Sequence, residues 1–429
     1  MLEKTLLNPK SVIISFKITA KNLFLPIHLV YYGIKYNLHY TLYGKEKTHT
    51  AFVGSSNLLS SMMNPSSNII MKTLSLRDLG GKNIPFSISI YPIDFKLKDN
   101  VTLEEKEKRL YKLNDTVNKY FLENNKKMIG KICGTGSYLP DYIIDNFKLA
   151  ESVDTSDEWI QERTGIRQRH IAKNETTSYM ASMAALKALE NAGTEPEEID
   201  MILVATSSSE TVYPCTACEV QKMTGAANAV GYDVNAACSG FVIAFHTAQA
   251  YIHSGICRTV LVIGAERMSR MVDWSDRGTC ILFGDGAGAV VVKAEEQGYC
   301  YMAAHSDGTK GEALVGSTKS FLKMNGQEVF KFAVRKVPEL ILELTGEAGI
   351  RPEEIDHIVL HQANQRIIEA VARRLNLKDS KFPVNLDKYA NTSAASIPVL
   401  LDEMNRMKIL KQGQSMLLAG FGAGLTWAG

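Results

Sequence analysis

Three short segments carry residues able to do chemistry. In Gly231-Tyr232-Asp233-Val234-Asn235-Ala236-Ala237-Cys238-Ser239-Gly240-Phe241 a strand pattern runs into small residues and then a cysteine. A helical pattern follows from about Ser239 to His253, so Cys238 falls at a strand-to-helix turn and at a helix N-terminus. Free backbone N–H groups and the helix dipole at such a place favour the thiolate, the nucleophilic form of cysteine. The structural alternative is a buried cysteine serving as a small apolar side chain. In Ile358-Val359-Leu360-His361-Gln362-Ala363-Asn364-Gln365 a histidine stands directly behind an apolar strand pattern. His361 there can move a proton or donate a hydrogen bond to a developing oxyanion; a capping or surface histidine is the alternative. In Lys388-Tyr389-Ala390-Asn391-Thr392-Ser393-Ala394-Ala395-Ser396-Ile397-Pro398, Asn391 precedes a helix. It can cap that helix, or offer a neutral amide donor to an oxyanion. Thiol, imidazole and carboxamide form a set suited to acyl chemistry through a thioester.

Other groupings fail as sites. Gly284-x-Gly286-x-Gly288 and Gly420-x-Gly422-x-Gly424 are not dinucleotide fingerprints, and the first leads into the strand pattern Ala289–Val292 rather than a helix. Cys215-x-x-Cys218 has no second pair of ligands at zinc spacing. We therefore expect neither a metal nor a redox nucleotide cofactor.

The elements that must position the three segments begin at Met128. From there apolar strand patterns alternate with helical ones, which predicts an α/β fold with largely parallel sheets. Strands are expected at Ile199–Ala205, Thr259–Gly264, Ile355–Leu360 and Ser415–Ala419, and helices at Ser178–Asn191 and Glu339–Glu347. The string Ala192-Gly193-x-x-Pro196-Glu197-Glu198-Ile199-Asp200-x-Ile202 recurs 156 residues later as Ala348-Gly349-x-x-Pro352-Glu353-Glu354-Ile355-Asp356-x-Ile358. Each copy reads as a glycine-capped helix end, a short turn and a strand entry. Eight identities in register imply two duplicated α/β halves, with functional groups at strand carboxyl ends near the axis between them.

Composition bounds the rest. The 429 residues are 45% hydrophobic and 22% charged, which excludes collagen-like, disordered and mini-protein classes. A net charge of +2 provides no global field for nucleic acid. The balance hides an asymmetry: residues 1–127 hold 19 Lys and Arg against 10 Asp and Glu, and the remainder 29 against 36. All seven cysteines lie in the remainder at irregular spacing, as expected of reduced thiols in a cytoplasmic protein. No run reaches the ~18 apolar residues of a spanning helix, and Asn22–Ile34, interrupted by Pro26 and His28, fits neither a span nor a signal peptide. Within residues 1–127, Phe86–Ile90 alternates like a strand and Thr102–Lys127 reads as a charged helix. This basic leader is expected to be an appended or poorly ordered segment, or the result of a start placed too early. Contact with RNA or a membrane surface is the alternative.

From about residue 128 to 429 the chain resembles β-ketoacyl-acyl-carrier-protein synthase III, the initiating condensing enzyme of type II fatty-acid synthesis. The resemblance rests on Gly134-Thr135-Gly136-Ser137-Tyr138-Leu139-Pro140, Asp154-Thr155-Ser156-Asp157-Glu158-Trp159-Ile160 and Arg163-Thr164-Gly165-Ile166-Arg167. It continues through the Cys238 block, Phe283-Gly284-Asp285-Gly286-Ala287-Gly288-Ala289, the His361 block and Asn391-Thr392-Ser393. Related elongating synthases use Cys-His-His, thiolases a second Cys and hydroxymethylglutaryl-CoA synthase a Glu. Plant-type polyketide synthases share Cys-His-Asn but not the other motifs.

The resemblance implies a thiolase-like αβαβα sandwich built of residues 128–300, carrying the nucleophile, and 301–429, carrying His and Asn, behind the extension 1–127. It implies that Cys238 accepts an acyl group from a short acyl-CoA, typically acetyl-CoA. His361 and Asn391 would then stabilise the enolate formed as malonyl-acyl-carrier protein loses CO₂. The backbone N–H groups of Cys238 and Ala423 would hold the oxyanion. Thr155, Trp159, Arg163 and Arg277 would bind CoA, and Tyr213 would shape the acyl pocket of a partner subunit in a homodimer. Lys331 and Arg366 match family positions that meet the acidic carrier protein, and Arg335 joins them on charge alone. Acyl-CoA and the carrier protein would be substrates, with no cofactor, no nucleic acid and no membrane span. A condensing enzyme of secondary metabolism with another primer, or a non-catalytic protein that docks acyl carriers, are the alternatives. The chain departs from the family pattern in four ways. Ala423 replaces a middle glycine, and Tyr213 stands where Phe is more frequent. The sequence stops at Gly429, where the family usually continues as a final strand, and residues 1–127 have no counterpart.

Overall fold

The computed structural model describes residues 128–317 and 320–429 in full and, within residues 1–127, the backbone of six strands. The chain divides into two compact units, Met1–Lys126 and Lys127–Gly429. In the first, the strands Ile13–Ala20, Leu23–Val30, Tyr36–Leu42, Lys45–Ala51, Ile70–Arg77 and Asn83–Ile90 pair antiparallel in one sheet. The last contains the alternating run Phe86–Ile90. The charged segment 102–127, read above as a helix, lies outside the described residues.

The second unit contains two larger sheets. One has the order Val230–Val234, Met201–Ala205, Thr259–Arg267, Asp285–Glu295, Ile129–Tyr138. The other has the order Ala304–Ser306, Thr426–Ala428, Met416–Gly422, His357–Leu360. Every strand of the first comes from 129–295 and every strand of the second from 304–428, so each half of the duplication supplies its own sheet.

Strand side chains alternate between two buried faces. Ile202, Val204, Leu261 and Ile263 pack outward on the helices Thr177–Ala192 and Thr216–Thr224. Leu203, Ala205, Val260 and Val262 pack inward on the helices Gly240–His253 and Ser396–Arg406. Val359 reaches the same inner layer from the other sheet, while Ile358 and Leu360 face an outer layer containing the helices Gly326–Ala348 and Gln365–Leu375. The result is the αβαβα sandwich, and burial on both faces explains why these strands read as unbroken apolar runs.

The two repeat copies share one local structure. Gly193 (φ 56°) and Gly349 (φ 68°) end their helices in the left-handed region. The short helical turns Pro196–Glu198 and Pro352–Glu354 follow, and each leads into a central strand.

Two expectations need correction. The sheets are mixed rather than largely parallel: Asp285–Glu295 runs antiparallel to both its neighbours, and Thr426–Ala428 to both of its own. Between Thr259–Arg267 and Asp285–Glu295 stand only the short turns Met268–Arg270 and Arg277–Cys280, with no long helix to carry a parallel crossover. The second correction is the helix expected at Glu339–Glu347, which begins at Gly326 and runs through Pro338. Pro338 has no N–H for the carbonyl four residues earlier, that of Val334. Arg374 Nη1 donates to that carbonyl instead, at 3.3 Å.

Candidate active site

Cys238 lies beyond the carboxyl end of Val230–Val234, in the short helical turn Ala237–Ser239 that opens the helix Gly240–His253. Ala237 takes φ 47°, the left-handed region, which sharpens the turn. The thiol is 7% exposed. Gly422 is wedged against it: a Cβ on Gly422 would stand 2.7 Å from Cys238 Cβ. Burial pushes the thiol pKa up to about 11, and the nearby Glu266 carboxylate acts in the same direction. A hydrogen bond with Ser393 and one with a backbone N–H oppose the rise without cancelling it. Burial thus favours the neutral thiol, against the thiolate expected from a helix N-terminus.

Asn391 is held in place by its own main chain. Its N–H donates to Leu282 O at 2.9 Å, and its carbonyl accepts from Gly284 N at 3.1 Å, a parallel bridge to the Phe283-Gly284 motif. Asn391 Oδ1 accepts the Ser393 N–H at 2.8 Å. That bond identifies the oxygen end of the carboxamide and leaves its NH₂ as a neutral donor for a ligand. Ser393 (φ 50°) turns its hydroxyl to the nucleophile, with Oγ 3.5 Å from Cys238 Sγ.

His361 follows the strand His357–Leu360 and is tied by its N–H to Ala419 O at 2.9 Å. Its Nδ1 lies 2.6 Å from Ser396 Oγ. Ser396 Oγ also accepts from Gln362 N–H at 3.3 Å. With its Nδ1 held by Ser396, His361 keeps Nε2 for a ligand. Complete burial holds it neutral, with its pKa lowered to about 3. Among the described residues no hydrogen bond joins the His361 ring to the Cys238 thiol. The ring meets Phe421 edge-on at 5.3 Å between centroids, and Phe421 adjoins the Gly422 that lies on Cys238.

The three predicted residues therefore meet around one turn, Ser393–Ala395, which carries Ser393 at one end and abuts Ser396 at the other. Ala423 follows Gly422 on the same loop, its carbonyl accepting from Thr426 Oγ1 at 3.0 Å. The sequence reading missed Phe421 and Glu266, and quoted Ser393 and Ser396 without a role. A second small polar residue three places after Ser393, in a segment already singled out, was the one usable signal for Ser396.

Of the residues expected to bind CoA, Arg163 and Arg277 gather at the Trp159 ring. Ser156 caps the helix Asp157–Thr164, accepting Trp159 N–H at 3.1 Å, and so fixes Trp159 in the first turn. The guanidinium carbons of Arg163 and Arg277 lie 4.4 and 4.7 Å from the centre of the Trp159 ring. Arg277 is steadied by Asp154 O, 2.7 Å from Nη1. Thr155 Oγ1 is buried and has no hydrogen-bond partner among the described residues. Tyr213 lies apart from this group, 85% exposed. Lys331, paired with Glu328 at 3.0 Å, and Arg335 stand one turn apart on Gly326–Ala348, both exposed. Arg366, on the packed neighbouring helix Gln365–Leu375, covers the Phe330 ring at 5.8 Å. Among the described residues no helix is long and apolar enough to cross a membrane.

Comparison with known proteins gives one consistent result. Residues 232–308 match the family model described as 3-oxoacyl-[acyl-carrier-protein (ACP)] synthase III, and residues 346–429 match the model of its C-terminal part. The β-ketoacyl-[acyl-carrier-protein] synthase III of Clostridium acetobutylicum is 47% identical over 312 residues, which span 69% of this chain and 96% of that protein. The crystal structure of 3-oxoacyl-[acyl-carrier-protein] synthase III from Aquifex aeolicus superimposes with a TM-score of 0.69 at 47% identity, covering 70% of this chain and 98% of that one. The corresponding Pseudomonas aeruginosa structure gives 0.67 at 38% identity, with 70% and 96% covered. With relatives this similar matched along nearly their whole length, the chain belongs to the β-ketoacyl-acyl-carrier-protein synthase III family.

Proposed function

We propose that Cys238, His361 and Asn391 divide the work of the condensation with which this acyltransferase family starts fatty-acid synthesis. Cys238 attacks the thioester of a short acyl-CoA, acetyl-CoA first among them, and CoA leaves. The backbone N–H groups of Cys238 and Ala423 hold the oxyanion. Malonyl-acyl-carrier protein then enters. His361 Nε2–H and the Asn391 NH₂ donate to its thioester carbonyl and stabilise the enolate as CO₂ departs. The enolate carbon attacks the acyl-Cys238 carbonyl and yields β-ketoacyl-acyl-carrier protein. Every charge that develops meets a preorganised donor, so the two substrates suffice without a cofactor.

One observation carries this reading: the Ser393–Ala395 turn links Cys238, through Ser393, to an Asn391 and a His361 that are each neutral and held by a serine. Neutral donors suit an enolate that forms and then vanishes within one turnover. Trp159 and Arg277 take the CoA adenine, with Thr155 and Arg163 beside it. Lys331, Arg335 and Arg366 receive the acidic carrier protein. The enzyme works in the cytoplasm as a homodimer. Support for the dimer comes from the unpaired edge strand Val230–Val234, with Val230 62%, Val212 84% and Tyr213 85% exposed beside it. Tyr213 then closes the partner's acyl pocket.

Single-step assays test the division of labour. His361→Ala and Asn391→Ala should retain labelling by radioactive acetyl-CoA while CO₂ release from malonyl-acyl-carrier protein falls by about 10²–10³ each. Loss of both steps together would contradict it.

A further inference from the structure

Directly behind the nucleophile is a carboxyl that the reaction above does not use. Glu266 sits near the end of the central strand Thr259–Arg267 and is fully buried. No cation meets it. Its oxygens accept from Ser207 N–H, from the hydroxyls of Ser207 (2.9 Å) and Ser208, more distantly from Thr206, and from Ser393 Oγ at 3.0 Å. The Ser393 bond has a direction, because a carboxylate can only accept. The serine proton therefore points to Glu266, and a serine lone pair points to the Cys238 S–H at 3.5 Å. The three groups form a line: thiol to hydroxyl to carboxylate. His361 is not placed to take the thiol proton: its Nδ1 lies on Ser396, and among the described residues its ring makes no hydrogen bond with the thiol.

We propose that Glu266, acting through Ser393, is the base that removes the Cys238 proton during acyl transfer. As sulfur bonds to the thioester carbon, its proton passes to Ser393 Oγ and the serine proton passes to Glu266 Oε1. When the C–S bond to CoA breaks, Glu266 returns its proton to Ser393 Oγ, whose own proton passes to the leaving CoA sulfur. Thiol and acyl-CoA thus become acyl-Cys238 and free CoA, with Glu266 restored. A preformed relay fits a thiol that is not ionised at rest. Burial also raises the Glu266 pKa above the ordinary carboxylate range, which strengthens it as a base. Few charges interfere. Arg267, next on the same strand, turns to Glu210 and to the carbonyls of Ala172 and Lys173. The 206–208 loop presents only hydroxyls and an amide, and the Cys238 turn presents only its thiol.

The inference rests on Cys238 as the acyl acceptor, and the experiment separates the two claims. Acylation of Cys238 by acetyl-CoA is followed in single turnovers by rapid quenching and mass spectrometry, across a range of pH. The natural protein should lose rate in acid as Glu266 is protonated. Glu266→Gln should acylate roughly a hundred-fold more slowly, the usual worth of a positioned base. Its rate should instead climb steadily with pH, because solvent hydroxide must strip the thiol. Ser393→Ala, which keeps the Ser207 and Ser208 donors around the carboxyl, should show the same altered profile. A Glu266→Gln protein with the natural rate, or with a lower rate but the natural pH profile, would overturn the relay. A natural protein that never acylates Cys238 would overturn the reading beneath it.

Discussion

Ser396 Oγ stands 2.6 Å from His361 Nδ1 and so holds the imidazole ring in place. Ser396→Ala removes that hold and leaves a buried Nδ1 unpaired. Malonyl decarboxylation should fall roughly ten-fold, the kinetic equivalent of about 1.4 kcal/mol. Acetyl transfer to Cys238 should change little. Comparison of CO₂ release with acetyl labelling in the variant checks this, and equal losses in both steps would contradict it.

The same histidine makes the fold acid-sensitive. Its pKa is about 3 when folded, against 6.5 in the unfolded chain. Between those values the unfolded chain binds a proton that the folded chain refuses, so stability is full above the higher value and declines as pH falls toward the lower. One proton corresponds to ~1.4 kcal/mol per pH unit. Urea unfolding at a series of pH values should give a shallower acid decline for His361→Gln than for the natural protein. Identical slopes would place the acid sensitivity elsewhere.

Gly422 is a contact glycine rather than a flexible one. A methyl group there would stand 2.7 Å from Cys238 Cβ and 3.1 Å from its sulfur. Gly422→Ala should cost about 1–3 kcal/mol of stability through overpacking and displace the thiol. Thermal unfolding and the rate of acetyl labelling should fall together. A variant that labels at the natural rate would show that the strand gives way freely.

Trp159 and Arg277 lie closer than an adenine permits. Their separation is 4.7 Å, whereas a ring stacked between two planes needs about 7 Å, twice the ~3.5 Å contact distance. Adenine binding must therefore lift Arg277 from the indole, and Trp159 fluorescence should change when CoA is added. Arg277→Ala should raise KM for acetyl-CoA roughly five-fold, from about 1 kcal/mol of lost stacking, with kcat nearly unchanged. Unaltered fluorescence in the natural protein would place the base elsewhere.

How far the sequence could be read depended on how local each feature is. The repeat was legible because Gly193 and Gly349 end helices by a rule that acts within a few residues. The positions of Cys238 and His361 behind strands were legible for the same reason. The beginning of Gly326–Ala348 was not, because Pro338 is a local stop signal and the Arg374 that relieves it is 36 residues away. The mixed strand directions were hidden because apolar runs look alike whichever way they pair. Glu266 escaped notice since nothing near it in sequence marks it: its partner Ser393 lies 127 positions further along the chain. The burial that opposes ionisation of the thiol was hidden, because a helix N-terminus is visible in sequence and burial is not.

The measurement that bears most directly on this account is mass spectrometry of the natural protein after brief mixing with acetyl-CoA and a panel of longer acyl-CoAs. The account predicts the mass gain of one acyl group, largest for a short primer, on the peptide that contains Cys238, and none in Cys238→Ser. Acylation of another residue, or undiminished acylation of Cys238→Ser, would contradict it.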